Sequence, residues 1–245
     1  MNNPQKTSVQ QLSELYNVVI GVALSLAMYN TLDAQATSLL PVSFEHLPQL
    51  GIFLVLIIPF YHGAVRHLFA TYIEDASTSN IKNGALLADF VLFFIEGCFF
   101  VMMAGIIGNI YTLTWVVAAL LLLDSVWGII ATIVFSGKKS LSAVTKWVII
   151  NLCCVAVLIF LLLPYKENFA ANPFGMSLIV LMVLLIRTVV DYTTSWGFYF
   201  PKSKAEHTPV IVEVINPDGG VIDLPEGTKI TISKTETFVV AKKSE

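Results

Sequence analysis

The chain has 245 residues, of which 56% are hydrophobic and only 13% are charged, a composition outside the range of ordinary soluble domains. The formal net charge of −3 excludes little, because in a membrane protein the location of the charges matters more than their sum. There is no basic tract, so we expect no nucleic-acid partner. The polar residues 1–11 show neither a basic region nor a small-residue cleavage site, so we expect no removable signal peptide.

Six apolar segments are long enough to cross a hydrocarbon layer about 30 Å thick, which takes about 20 helical residues. They are residues 15–32, 49–68, 85–107, 111–136, 146–164 and 174–199. Pro59 lies inside the second segment, where it frees a backbone carbonyl and predicts a kink. The sequence therefore predicts an all-α integral membrane protein, a six-transmembrane-helix bundle.

The composition changes after residue 200. Residues 210–215 and 221–224 are apolar runs on either side of a turn rich in Asn, Pro, Asp and Gly, which predicts a β-hairpin. Residues 228–233 and 237–241 are further candidate strands. The C-terminal tail is therefore expected to be small and β-rich.

These boundaries divide the chain into an N-terminal segment (1–14), the six-helix membrane domain (15–200) and the tail (201–245). A strand in the tail can bind a protein partner by pairing with it. The candidate partner-binding residues are the alternating apolar side chains Val210, Val212, Val214, Ile230 and Ile232.

Successive breaks between the six segments alternate between the two sides of the membrane. Lysine and arginine are concentrated on one of these sides, which predicts the orientation. One side has Lys6, Arg66, Lys82, Lys138, Lys139, Lys146, Lys202 and Lys204, and the other has only Lys166. We therefore expect both termini in the cytoplasm, with the protein in a bacterial inner (plasma) membrane and in contact with its lipids.

Two acids lie deep in the third and fourth segments. Glu96 and Asp124 are equally distant from Ile110, at the tip of the hairpin between these segments. At about 1.5 Å per residue, each lies about 20 Å from the tip, near the middle of the membrane. Arg187 falls at a similar depth in the sixth segment. A charge there costs about 2.5–3.5 kcal/mol, so we expect the three side chains to face one another inside the protein.

A second layer of polar residues is expected nearer the cytoplasm. It comprises His62, Asp89, Asn151 and Asp191, with Arg66 below them. Asp89 and Glu96 share a stripe of the third helix, and Arg187 and Asp191 are one turn apart on the sixth. The first and fifth segments have no internal charge, so we expect them at the lipid or at an interface.

The predicted buried network consists of His62, Asp89, Glu96, Asp124, Arg187 and Asp191. One interpretation is a water-filled conduction or proton path, in which His62 acts as a gate. The other is a neutralised strut that holds helices together, with His62 as a hydrogen-bonded core residue. The aromatic cluster from Tyr192 to Phe200 is typical of an interfacial anchor.

The function classes follow from these features. The chain shows no nucleophile motif, phosphate loop, dinucleotide fingerprint or metal-ligand spacing, so we expect no enzyme, cofactor or metal site. The first hypothesis is a homo-oligomeric ion or proton channel or small transporter. The alternative is a membrane sensor or scaffold of a multi-component stress or phage-defence system, which recruits a cytoplasmic protein through the tail.

Overall fold

The computed structural model describes residues 4–32, 43–74, 83–134, 141–201, 214–215 and 221–222. Within these ranges the long helices are α1 (Pro4–Thr31), α2 (Leu47–Phe69), α3 (Asn83–Gly105), α4 (Ile110–Val134), α5 (Leu141–Leu162) and α7 (Pro173–Thr194). The short helices are α6 (Lys166–Ala171) and α8 (Trp196–Tyr199). A 3-10 turn (Phe44–His46) precedes α2, and a π-helical turn (Ala70–Glu74) follows it.

Six of the described helical stretches are long and apolar enough to cross a membrane, which confirms the predicted number of spans. They are Thr7–Thr31, Phe44–Ile73, Gly84–Gly105, Ile110–Ile133, Val144–Leu162 and Pro173–Thr194. Large apolar side chains on them face outward, as with Ile133 (70% exposed), whereas Asp124 and Asp191 are fully buried. This distribution reverses that of a soluble protein. The chain is a multi-pass membrane protein.

Helix boundaries differ from the expected ones at three places. α1 begins at Pro4, so residues 4–14 are helical and continuous with the helix of the first span, which was expected from residue 15. α5 begins at Leu141, earlier than expected, which places its polar residues deeper in the bundle. α7 ends at Thr194 because Ser195 (φ −112°, ψ 18°) leaves the helical conformation, and α8 then starts a new helix.

The six spanning helices form one bundle. α1 packs along α3, α4 along α5, and α2 along α7, and contacts of α3 with α4, α5 with α7, α1 with α2, α2 with α3 and α4 with α7 join these pairs. Glycine brings two of these pairs close together: Gly97 of α3 faces Val19 of α1, and Gly128 of α4 faces Val148 of α5. Each helix therefore turns one face toward a common interior.

Pro59 lies inside α2, which continues through it. Because proline has no N–H, the carbonyl of Val55 loses its usual helical donor. The Thr188 hydroxyl of α7 donates to that carbonyl over 3.4 Å. The carbonyl that proline frees thus ties α2 to α7.

The interior of the bundle has a polar half, which contains the buried charged side chains, at the end that holds the N-terminus of α1. The other half is mainly apolar, with Gln49, Thr114 and Ser177 as buried neutral polar residues. The largest fully buried side chains of the apolar half are Ile52, Phe53, Leu56, Phe100, Met103, Ile107, Leu113, Leu120, Leu121 and Leu158. Among the described residues, the buried charged side chains are Asp89, Glu96, Asp124, Arg187 and Asp191. All of them lie between the N-terminal end of the bundle and its middle.

The chain forms two compact units, residues 1–201 and 202–245. In the second unit, β1 (Val214–Ile215) pairs antiparallel with β2 (Val221–Ile222), with Val214 opposite Ile222. This pair falls within the predicted hairpin. The further candidate strands, residues 228–233 and 237–241, lie outside the described residues.

Candidate functional site

The centre of the site is a contact between two carboxyl groups. Glu96 of α3 and Asp124 of α4 are 2% and 0% exposed, and their side chains lie next to each other. Two ionised carboxylates only accept hydrogen bonds, and like charges this close strongly oppose joint ionisation. Such a pair of carboxyl groups is able to hold a proton or a small cation between its two members.

Asn151 of α5 connects this pair to the buried arginine. Its amide nitrogen donates to Asp124 Oδ2 over 2.7 Å, and its side-chain carbonyl accepts from Arg187 Nε at 2.9 Å and Nη2 at 2.7 Å. Arginine can only donate, so the amide oxygen must face Arg187 and the amide nitrogen must face Asp124. The positive charge of Arg187 thus reaches Asp124 through a neutral amide.

Arg187 also contacts Asp191, one turn along α7. The distance from Arg187 Nη1 to Asp191 Oδ2 is 3.8 Å, and both side chains are almost fully buried. The Tyr199 hydroxyl of α8 donates to the same Asp191 oxygen over 2.8 Å. Glu96, Asp124, Asn151, Arg187, Asp191 and Tyr199 therefore form one connected set, with three acids and one permanent cation.

Asp89 belongs to a second cluster on α2 and α3. Its Oδ2 accepts from the Tyr72 hydroxyl at 2.6 Å and lies 3.2 Å from His67 Nε2. Tyr72 lies in the π-helical turn after α2, and such turns often occur at functional sites. The inner layer expected from the sequence placed His62 beside Asp89, but the structure pairs Asp89 with His67.

His62 has an aromatic environment instead. Its Nδ1 lies 3.1 Å from the Tyr192 hydroxyl, and its ring packs against Tyr199 and Phe200. Trp196, at 60% exposure, suits the expected interfacial anchor, whereas Tyr199 is 6% exposed and hydrogen-bonded to Asp191. The anchor interpretation is therefore wrong for Tyr199.

Several buried polar atoms lack a hydrogen-bond donor or acceptor among the described residues. They are Tyr16 Oη, Asp89 Oδ1, Asp124 Oδ1, Arg187 Nη1, Asp191 Oδ1 and Ser195 Oγ. Buried polar groups are paired in the great majority of cases, so this concentration around the two clusters is unusual. Tyr16 of α1 packs against Phe93, which lies one turn before Glu96 on α3.

The structure thus brings together four of the six predicted network residues: Glu96, Asp124, Arg187 and Asp191. Asp89 instead interacts with Tyr72 and His67 in the second cluster, and His62 interacts with Tyr192. Reasoning from the sequence missed Tyr72, His67 and Tyr199 as partners, and it placed Asn151 in the wrong layer. The only signal for Asn151 was an amide inside an otherwise apolar span. Of the candidate tail residues, Val214 lies in β1, and the others (Val210, Val212, Ile230 and Ile232) lie outside the described residues.

No protein-family model, no curated protein and no solved structure matches this chain. The functional inference therefore rests on the geometry and chemistry of the buried clusters.

Proposed function

We propose that this membrane protein moves protons or small cations across the membrane, with the Glu96–Asp124 pair as the site that holds the transported charge. The observation that carries the proposal is the contact between these two carboxyl groups near the middle of α3 and α4. Ionisable residues inside membrane spans typically mark transport pathways and proton relays. Two acids in contact form a place where a proton or cation binds and leaves.

Charge balance supports this role. Glu96, Asp124 and Asp191 are buried in one connected set with Arg187 as the permanent cation. If all three acids were ionised, the set would carry a net charge of −2, although a single uncompensated charge at this depth already costs about 2.5–3.5 kcal/mol. The set therefore holds exchangeable protons or a bound cation, which is what a transport site requires.

The two halves of the bundle favour a transporter over an open pore. The buried charged side chains lie between the N-terminal end and the middle, and the rest of the interior is mainly apolar, with side chains such as Phe53, Phe100 and Leu158 and a few buried neutral polar residues such as Gln49 and Ser177. A hydrated path through one chain would require this apolar half to open. We propose that it opens during a transport cycle, or that the protein works as a homo-oligomer with a path between subunits.

The test is flux in reconstituted vesicles that contain a pH-sensitive dye. Wild-type protein is expected to dissipate an imposed proton or cation gradient, and Glu96→Gln and Asp124→Asn are expected to abolish that flux because each removes an exchangeable charge. Glu167→Gln is the matched control, since Glu167 is an exposed residue of α6. Wild-type vesicles that carry no flux at any pH or voltage would rule out the proposal.

The orientation is part of the proposal. The excess of Lys and Arg at one set of segment ends favours cytoplasmic termini in a bacterial inner membrane, which puts the polar half on the cytoplasmic side. Reporter fusions at both termini test this: activity of a periplasm-only reporter at either end contradicts it.

A second candidate function is a membrane sensor or scaffold that recruits a cytoplasmic protein. The antiparallel pair of β1 and β2 favours it, because a short hairpin has edges on which a partner strand can add. Deletion of residues 205–245 separates the two candidates: a transporter retains flux, whereas a scaffold loses its partner in a co-purification experiment.

A further inference from the structure

The outer side of α1 carries a polar stripe. Five exposed residues recur every three or four positions and therefore lie on one face of the helix. They are Gln10, Glu14, Asn17, Gly21 and Ser25. The buried residues of α1, such as Tyr16 and Ala23, lie on the opposite face, against the other helices. The stripe therefore points away from the bundle, to where lipid surrounds a single copy of the chain.

The stripe reaches the middle of the membrane. The ring of Tyr16 packs against that of Phe93, with centroids 5.7 Å apart, and Val19 faces Gly97 where α1 contacts α3. Asn17 therefore lies at the level of the residues between Phe93 and Gly97, which form the centre of α3. At this depth neither lipid headgroups nor bulk water can pair with a side-chain amide.

The Asn17 amide has no partner within its own chain as far as the structure describes it. It makes no hydrogen bond to any described residue, and α1 is the least buried of the six spans. A polar side chain left unpaired in hydrocarbon is costly, whereas a hydrogen bond to a second helix satisfies it. The stripe therefore requires a protein partner in the membrane.

The chemistry of the stripe fits a second copy of this chain. An asparagine side chain has both donors and an acceptor, so two identical amides satisfy each other across a two-fold axis. Copies of one chain have the same orientation in the membrane, so two α1 helices run parallel and Asn17 meets Asn17 at the same depth. A complementary partner of another kind would need no such self-matching group.

The backbone of α1 is accessible beside Asn17. A Cβ added at Gly21 would meet nothing within 4 Å, so this part of the helix surface is open. Gly21 and Ser25 have the small-xxx-small spacing that lets two membrane helices approach closely. The Ser25 hydroxyl donates to the Gly21 carbonyl of its own helix over 2.8 Å, so it is already paired. Close packing against a second helix therefore leaves this hydroxyl satisfied.

We propose that two copies of the protein pair through α1 about a two-fold axis along the membrane normal, with Gly21 and Ser25 at the closest approach and Asn17 hydrogen-bonded to Asn17 of the second copy. Each amide donates one N–H to the carbonyl of the other. The second N–H of each amide is available to the Glu14 carboxyl group of the second copy, one turn nearer the N-terminus. The inference goes beyond the proposed function, because the pairing holds whether or not the protein transports an ion.

This interface leaves each carboxyl pair inside its own subunit. α1 contacts α3 through the face opposite the stripe, where Val19 meets Gly97. α1 therefore stands between the two-fold axis and the helix that carries Glu96. A path along the axis would not reach the carboxyl pair. Pairing through α1 thus favours transport within each subunit over a path between subunits.

The first experiment measures the dimer in vesicles, by energy transfer between dye-labelled copies as the protein is diluted in lipid. Asn17→Leu is expected to weaken pairing about tenfold, the effect of a lost hydrogen bond between membrane helices, and Gly21→Leu is expected to weaken it by blocking close approach. Both positions are exposed, so the fold of each copy is retained. The controls are Gln11→Leu and Val22→Leu, exposed positions of α1 outside the stripe, which should pair like the wild type.

The second experiment locates the interface by disulfide cross-linking in the membrane. Cys98 and Cys153 are exposed and Cys154 is buried, so the background variant carries Cys98→Ala and Cys153→Ala. Gly21→Cys and Val22→Cys are then compared under a mild oxidant. The two positions have nearly the same depth but lie about 100° apart around the helix. We expect Gly21→Cys to form a covalent dimer of this chain and Val22→Cys to form little.

Three outcomes would overturn the pairing: a wild type that stays monomeric at every dilution, a dimer that Asn17→Leu and Gly21→Leu leave unchanged, or equal cross-linking at the two cysteine positions. Cross-linking of Gly21→Cys to a different membrane protein would assign the stripe to that protein and also overturn the proposal. None of these readouts uses ion flux. A wild type that dimerises through α1 without carrying flux therefore supports the interface and contradicts the transport function.

Discussion

Arg187 donates two hydrogen bonds to the side-chain carbonyl of Asn151, through Nε at 2.9 Å and Nη2 at 2.7 Å. This single oxygen takes both donors, so the amide is held in one orientation and its nitrogen points to Asp124. An uncharged residue therefore separates the arginine from the nearer acid of the carboxyl pair. The arrangement keeps Asp124 partly compensated without forming a direct ion pair.

Asn151→Leu is expected to destabilise the protein strongly. The leucine has a similar volume but leaves Asp124 and Arg187 without their shared partner, and breaking a buried charged network typically costs about 3–5 kcal/mol. The free energy of unfolding, measured by titrating sodium dodecyl sulfate into detergent-solubilised protein, tests this. Asn168→Leu is the matched control, because Asn168 is exposed in α6. Equal stability of the two variants would show that the bridge contributes nothing.

The sequence predicts the six spans and the convergence of Glu96, Asp124 and Arg187 for one physical reason. A charge inside an apolar run has a low-energy location only in the protein interior, so depth and burial follow from position alone. Asn151 escapes this reasoning because a neutral amide costs less to expose to lipid, and its depth depends on where α5 begins. That start, Leu141, directly follows Ser140, a residue type that often precedes a helix, and it lies five residues before the predicted start at residue 146.

The sequence pattern does not predict Tyr199 as a partner of Asp191 or Tyr72 as a partner of Asp89, because each tyrosine lies beyond a break in regular α-helix. In an unbroken helix, Asp191 and Tyr199 would be about 12 Å apart along the axis. The break at Ser195 allows the Tyr199 hydroxyl to reach Asp191 Oδ2, at a distance of 2.8 Å. Tyr72 lies in a π-helical turn, where the spacing of an α-helix no longer tells which side chains share a face. Local breaks in helices therefore decide the partners that the sequence pattern does not predict.

Glu96→Gln is expected to leave stability unchanged within about 1 kcal/mol or to raise it, because replacing buried charged groups by neutral ones of similar shape is often neutral or stabilising. The glutamine amide can donate to Asp124 without a shared proton, so the contact survives. Detergent unfolding and vesicle flux are measured on the same preparations. If flux disappears only together with stability, Glu96 serves the fold and has no separate role in transport.

Tyr199→Phe is expected to cost about 2 kcal/mol at neutral pH, because it removes a hydrogen bond to a charged group. Above pH 10, the difference in the free energy of unfolding between the wild type and Tyr199→Phe should become smaller. Burial, the charge of Asp191 and the hydrogen bond to it all raise the pKa of Tyr199 above its ordinary value. In the unfolded chain the tyrosine ionises near pH 10, so each further unit lowers the stability of the folded state by about 1.4 kcal/mol.

The measurement for Tyr199→Phe is the free energy of unfolding of both proteins between neutral and alkaline pH. Tyr165→Phe is the control, because Tyr165 is 44% exposed and its loss should not change the pH dependence. A wild-type advantage that stays constant up to alkaline pH would contradict the placement of the Tyr199 hydroxyl on Asp191.

Gly97→Ala tests the close packing of α1 on α3, which sets the position of Tyr16 against Phe93. An added Cβ would lie 2.5 Å from Val19 Cγ1, closer than real side chains approach, and overpacking of this kind costs about 1–3 kcal/mol. Val19→Ala removes the clashing methyl group, so the double variant should recover most of the loss. Gly21→Ala, on the open face of α1, should cost nothing. Only a direct contact between the two positions explains a recovery of stability by Val19→Ala. A double variant as unstable as Gly97→Ala would therefore mean that α1 does not pack against α3 at this point.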